Sequence, residues 1–224
     1  MSPVEHGIDI KTQVTDEVLV KQRRAQIVAG AVQLFSDQGY FKTTVHDIAR
    51  SVGVSPGLIY QYVQDKEELL LLSILDVLDS YADEIPAATE GLEDPLQQYC
   101  ETFKAYCRVV DTRRDATILA YRSTKSLSRD KRKVIMRAER ETNQLIANCI
   151  QACINEGLFR NVDSEVATYQ LVMYAHAWAL KHWQLSKRFE INKYIQEGLD
   201  YSLHALLTDK GWQQWNSKNN NEDI

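Results

Sequence analysis

Few side chains in this sequence are placed for covalent or metal chemistry. The four cysteines, Cys100, Cys107, Cys149 and Cys153, form a C-x6-C and a C-x3-C pair, and neither is a zinc-ligand or redox spacing. Each pair falls on one helical face, where an unpaired thiol behaves as a small apolar side chain. His176 and His182 stand six residues apart, which turns them to different faces of a helix, so no shared metal is expected. No G-x-S-x-G elbow, H-E-x-x-H helix or phosphate-binding loop occurs, so no catalytic residue, metal or cofactor is nominated.

The residues between Thr44 and Lys66 are suited to a different chemistry, contact with a nucleic acid. Gly57 would let a backbone approach closely, Gln61 can pair with a base edge, and Leu58 can meet a thymine methyl. Tyr60, Tyr62 and Lys66 are of the types that hold phosphates, which sets register without reading sequence. Thr44 can offer its hydroxyl and the free N–H groups of a helix N-terminus to another phosphate. Such contacts require a short helix whose inner face is gripped while its outer face is presented.

The local pattern supplies that helix. Thr43 and Thr44 can cap a helix with Val45, Ile48, Ala49 and Val52 at i, i+3, i+4 and i+7, and Gly53 ends it. Ser55 caps the next, with Pro56 at its first position. At 100° per residue, Pro56, Ile59 and Val63 point inward, Gly57 and Gln61 point away, and Leu58 and Tyr60 flank them. Two short helices joined by a glycine-containing turn have the form of a helix-turn-helix. A preceding helix carries Val20, Ile27, Ala31, Leu34 and Phe35 on one face and stops at Gly39.

Charge agrees once it is divided. The whole chain holds 26 Lys and Arg against 31 Asp and Glu, a net −5, which does not suggest a polyanionic partner. From Glu17 to Lys66 there are six basic residues (Lys21, Arg23, Arg24, Lys42, Arg50, Lys66) against four acidic ones (Glu17, Asp37, Asp47, Asp65), leaving −7 for the remainder. The head is basic and the body acidic.

The run from Gly39 to Leu69, with Thr43-Thr44-Val45, Ile48-Ala49, Gly53-Val54-Ser55, Gly57-Leu58-Ile59-Tyr60, Tyr62 and Lys66-Glu67, resembles the tetracycline-repressor (TetR) family. It departs at Val52, where the family usually has Ala, and at Val63, where it usually has Phe. Both are inward apolar positions, so packing changes and the pattern stands. The resemblance covers the N-terminal quarter. It implies a homodimer that binds a palindromic double-stranded DNA operator and releases it when a small molecule enters a C-terminal body. A repressor working in the cytoplasm is therefore expected, with no catalytic activity. A helical interaction module or a helical enzyme is the alternative, and DNA binding discriminates them.

The rest of the chain reads as that body. Asp65 and Glu68 make a D-x-x-E box opening a helix to about Ile85, and Leu69–Leu75 is apolar nearly all round, as a helix buried on several sides would be. A loop follows from Pro86 to Pro95, then helices near 95–109, 112–122, 129–156, 163–186 and 191–207. The expected plan is all-α: an arm over 1–18, a three-helix DNA-binding domain over 19–66, a ligand-binding and dimerisation domain over 67–208, and a flexible tail over 209–224. Leu171, Ala175 and Leu185 on one stripe, with Ile195, Leu199 and Leu206 on the other, are candidates for the dimer interface, as the family's last two helices are. Phe103, Tyr106, Tyr121, Arg122, Tyr169, Met173, His176 and Trp178 are candidates for the effector pocket, an apolar surface with a few polar groups. A basic run, Arg129, Lys131, Arg132, Lys133, Arg137 and Arg140, is either a solvated face or a receiver for an anionic effector such as an acyl-coenzyme A. The segment Tyr121–Leu127 is similar to one in TetR relatives associated with fatty-acid metabolism. Gly and Pro number only 13 of 224 residues, which opposes an all-β fold. No apolar run approaches 18 residues, and no signal peptide is visible.

Overall fold

A computed structural model describes Thr12 and residues 14–219. Eleven α-helices account for most of them, and the one extended pairing among the described residues is a bridge between Phe159 and Leu207. The first helix, α1 (Glu17–Gln38), begins where the Asp16 carboxylate accepts the Leu19 N–H at 3.0 Å, and it stops at Gly39, whose φ of 87° favours glycine. The expected arm over 1–18 falls mostly outside the described residues, and its last two residues already belong to α1.

Next come α2 (Val45–Ser51), α3 (Pro56–Tyr62) and α4 (Lys66–Thr89). The fourth helix runs through the expected loop at Pro86. Ala87 and Ala88 favour helix, and the Thr89 hydroxyl donates to the carbonyls of Ile85 and Pro86, so one more turn forms beyond the proline. The remaining helices are α5 (Pro95–Thr112), α6 (Arg114–Ser123), α7 (Arg129–Asn155), α8 (Ser164–Leu180), α9 (His182–Leu185), α10 (Ile191–Leu206) and α11 (Asp209–Asn219). A 3-10 turn at Thr124–Ser126 links α6 to α7.

The chain divides into two compact units at places the sequence did not suggest. One takes residues up to Ser80 together with Arg113–Glu139; the other takes Tyr81–Thr112 together with residues from Arg140 onward. The expected boundary at residue 66 thus lies inside the first unit. Its core explains why: Ile27, Ala31, Phe35, Ile48, Ile59 and Val63 join Leu69–Leu72, Ile74 and Leu75 of α4, then Leu119, Leu127, Ile135 and Ala138, in one apolar cluster. The all-round apolar start of α4 is surrounded because α1, α6 and the beginning of α7 all supply side chains to it.

In the second unit α5 packs on α8 and α10. Tyr99, Phe103, Tyr106, Ile146, Ile150, Leu171, Ala175, Trp178, Ile195, Leu199 and Leu203 are buried there. This corrects the expected dimer stripes. Leu171, Ala175, Ile195, Leu199 and Leu206 are interior to the single chain, and Leu185 is half-buried. The expected flexible tail over 209–224 is corrected over 209–219, which is helical, and its last five residues lie outside the described residues. α11 is seated by Gly211, where an added Cβ would lie 2.3 Å from the Leu158 carbonyl oxygen, and by Gln214, whose amide donates to Asp94 at 2.9 Å.

All four cysteines are free thiols. Burial pushes Cys100 and Cys107 up to about 12, so neither is a nucleophile at neutral pH.

Candidate nucleic-acid interface

The helix-turn-helix is held by reciprocal caps. The Thr44 hydroxyl accepts the Asp47 N–H at 3.1 Å and donates to the Asp47 carboxylate at 2.6 Å, while that carboxylate accepts the Thr44 N–H at 3.0 Å. The Thr44 bonds hold the Asp47 carboxyl below its ordinary range. Ser55 accepts the Leu58 N–H at 3.2 Å and Pro56 opens α3. Gly53, at φ 73°, turns the chain between the two helices.

The outward surface of α3 carries Gly57, Tyr60 and Gln61. Gly57 is exposed and faces open space, since an added Cβ would meet only the Ser55 hydroxyl, at 4.0 Å. Tyr60 is 47 % exposed and Gln61 is exposed, whereas Leu58 is half-buried against the core. Thr44 and Ser55 are exposed and Pro56 is half-buried.

Two expected phosphate contacts are placed otherwise. Tyr62 is 3 % exposed, because the inward stripe of this short helix takes in Ile59, Tyr62 and Val63 together. Lys66 turns its ammonium onto the protein, donating to the carbonyls of Tyr40 at 3.0 Å and Thr43 at 3.1 Å, with Nζ 4.5 Å from the centre of the Tyr40 ring. Its charge braces the turn before α2.

Other residues hold α3 that spacing could not reveal. Arg24 Nε donates to the Tyr62 carbonyl at 3.0 Å, and the Thr12 hydroxyl donates to the Gln61 carbonyl at 3.0 Å. They satisfy acceptors at the C-terminal end of the helix, where a cation is favoured. Phe41, 82 % exposed, and the exposed Lys42 and Arg50 add apolar and basic surface around α2.

Six of the eight candidate effector residues, Phe103, Tyr106, Tyr169, Met173, His176 and Trp178, belong to the second unit. In the second unit Tyr106 and His176 come together, with the Tyr106 hydroxyl 3.2 Å from His176 Nε2 and the Tyr81 hydroxyl 3.4 Å from the same nitrogen. The Tyr81 and Tyr106 rings stack at 4.1 Å. Burial lowers His176 to about 4, so its imidazole is neutral at pH 7. Phe103 lies against Tyr174, and Trp178 Nε1 donates to Asp111 at 2.8 Å. Tyr169 and Met173 are exposed. Tyr121 and Arg122 belong to the first unit and are exposed there. Of the basic run, Lys131 pairs with Glu67 and Asp65, Arg132 donates to the Lys125 carbonyl, and Lys133 pairs with Asp130. Arg129, Arg137 and Arg140 are exposed.

Known proteins decide the family. The profile "Bacterial regulatory proteins, tetR family" matches residues 27–72, and "Tetracyclin repressor-like, C-terminal domain" matches 92–183. The transcriptional regulator HbdR of Aromatoleum sp. (strain CIB) is 50 % identical over 202 residues, covering 90 % of this chain and 88 % of that protein. The chain belongs to the TetR family. As a TetR-family member it is a helix-turn-helix transcriptional regulator, and the first profile spans the part of α1 from Ile27, all of α2 and α3, and the start of α4. Two solved structures share its fold. A TetR-family protein from Rhodococcus RHA1 has a TM-score of 0.75 at 24 % identity, covering 83 % of this chain and 98 % of that one. The fatty acid degradation regulator FadR from Bacillus halodurans has 0.69 at 18 %, covering 81 % and 94 %. No helix among the described residues is long and apolar enough to cross a membrane.

Proposed function

We propose that the chain is a homodimeric repressor that reads a palindromic operator with Gly57, Leu58, Tyr60 and Gln61 and leaves it when a small effector enters the second unit. The observation that carries this reading is α3 itself, capped at Ser55, braced at Tyr62 and Gln61, and presenting Gly57, Tyr60 and Gln61 outward. Enrichment from random duplexes tests it. A selected two-fold symmetric sequence is expected, and enrichment of no sequence would overturn the proposal.

The exposed side of α8 supports the dimer. Val166, Tyr169 and Met173 follow i, i+3, i+7 spacing and all are exposed, and on α10 Tyr201 is exposed too. Large apolar residues in such a row are costly to leave in water. Tyr169 and Met173 therefore serve the interface in this reading, in place of the pocket.

An acyl-coenzyme A is the effector class we propose. Phe103, Tyr106 and Trp178 make the interior of the second unit apolar and aromatic, which suits an acyl chain. Titration with acyl-coenzyme A of graded chain length should release the selected duplex at one range of lengths. Indifference to all of them would remove this effector class.

A further inference from the structure

The helix that leaves α3 is fastened at its first turn to a segment more than sixty residues away. Glu67 Oε1 accepts the Ser128 N–H, and Glu67 Oε2 receives the Lys131 ammonium at 3.1 Å. Lys131 also reaches the Asp65 carboxylate at 3.6 Å. Glu67 lies in the first turn of α4, and Ser128 immediately precedes α7. One carboxylate therefore faces the positive ends of two helices and a lysine at once. The side chains of Glu67 and Lys131 are 27 % and 23 % exposed, which spares the pair most solvent screening.

The neighbours of Glu67 hold the opposite side of the same joint. Asp65 accepts the Glu68 N–H at 2.7 Å, and the Glu68 carboxylate, on a residue 5 % exposed, accepts the Gln64 N–H at 2.6 Å. Lys66 holds the turn before α2, and Arg24 holds the last carbonyl of α3. Residues 62–68 thus form a polar knot into which α1, the turn before α2, the end of α3 and the start of α7 are tied.

The aim of α3 depends on that knot. The helix has seven residues and buries only Ile59 and Tyr62, so its own packing gives little leverage over direction. Its exit through Val63 into α4 does the rest, and α4 is fixed at that point by Glu67. We infer that Glu67, Ser128 and Lys131 form a positioning clamp that aims the recognition helix, so that selectivity for one DNA sequence depends on the start of α7. This rests on α3 being the reading helix.

The test compares a selected duplex with a scrambled duplex of equal length, in the full chain. Simple electrostatics predicts that Glu67→Gln, which removes a negative charge from the DNA-binding unit, tightens both. The clamp predicts the opposite sign for the selected duplex, a loss of about tenfold, with the scrambled duplex unchanged within about twofold. Lys131→Met should likewise weaken the selected duplex more than the scrambled one, and Lys131→Arg should retain both affinities. Melting followed by circular dichroism establishes that each variant is folded, and Lys131→Met carries the test should Glu67→Gln not fold. Selected-duplex binding by Glu67→Gln equal to or tighter than native would overturn the clamp. So would an equal loss on both duplexes in Lys131→Met, which marks a phosphate contact. If the native chain enriches no sequence, α3 is not the reader, and that failure is seen before any variant is made.

Discussion

At the scale of single residues, two side chains with similar expected roles separate. Gln61 is exposed on α3, while Lys66 is committed to the carbonyls of Tyr40 and Thr43. Gln61→Ala should cost about 1–3 kcal/mol of binding at one operator position and relax selectivity there, with little change in melting temperature. Lys66→Met should instead lower unfolding stability by about 1–3 kcal/mol in urea titrations, because the carbonyls lose a charged donor. His176 offers a third readout. Its folded value of about 4 lies below the ordinary 6.5, so the unfolded chain binds the extra proton first on acidification. Its contribution is fully present above about 6.5 and is lost as pH falls towards 4, by at most about 3 kcal/mol. His176→Gln should flatten the stability slope across that window relative to native; an unchanged slope would mean that other groups set it.

At the scale of elements, the sequence was most legible where one helix face decides the outcome. The Thr44 and Ser55 caps, the stop at Gly39 and the turn at Gly53 are chemical punctuation, readable from a few neighbouring residues. The stripes of Leu171 and Ile195 are not, because an inward apolar face looks the same whether its partner is another helix of the chain or a second subunit; nor are Tyr62 and Lys66, whose partners, the core beneath α3 and the carbonyls of Tyr40 and Thr43, are set by tertiary packing. α11 is hard to read because Trp212 and Trp215 are the large apolar side chains in an otherwise polar stretch; Gly211 seats it by close backbone approach, which leaves no periodic signal. A comparable approach at Gly198 gives a prediction. An added Cβ would fall 2.1 Å from the Tyr174 ring. That ring cannot readily move, since the Tyr174 hydroxyl donates to the Tyr194 carbonyl at 2.6 Å and the Tyr194 hydroxyl donates to the Tyr174 carbonyl at 2.8 Å. Gly198→Ala should therefore destabilise by about 1–3 kcal/mol or more in thermal melting. On α8, Met173→Glu should shift the chain towards monomer in light scattering while leaving its helical content intact.

At the scale of the whole molecule, a net charge of −5 conceals a basic head. Duplex affinity should consequently fall steeply with added salt, with the slope in log Kd reporting the number of phosphates neutralised. A nearly flat salt response would mean that the basic head makes few phosphate contacts. The first unit has a further consequence for anyone exchanging parts between relatives. It is not one stretch of chain, because Leu119, Leu127, Ile135 and Ala138 complete the cluster around Leu69–Leu75. A graft cut at residue 80 would leave behind Leu119, Leu127, Ile135 and Ala138, and one cut at 66 would leave behind Leu69–Leu72, Ile74 and Leu75 as well, baring apolar side chains to water in either case. A transplantable reading head for this protein is a two-piece cassette, residues up to 80 with 113–139, and a chimera that keeps both pieces together should fold where a simple N-terminal swap does not.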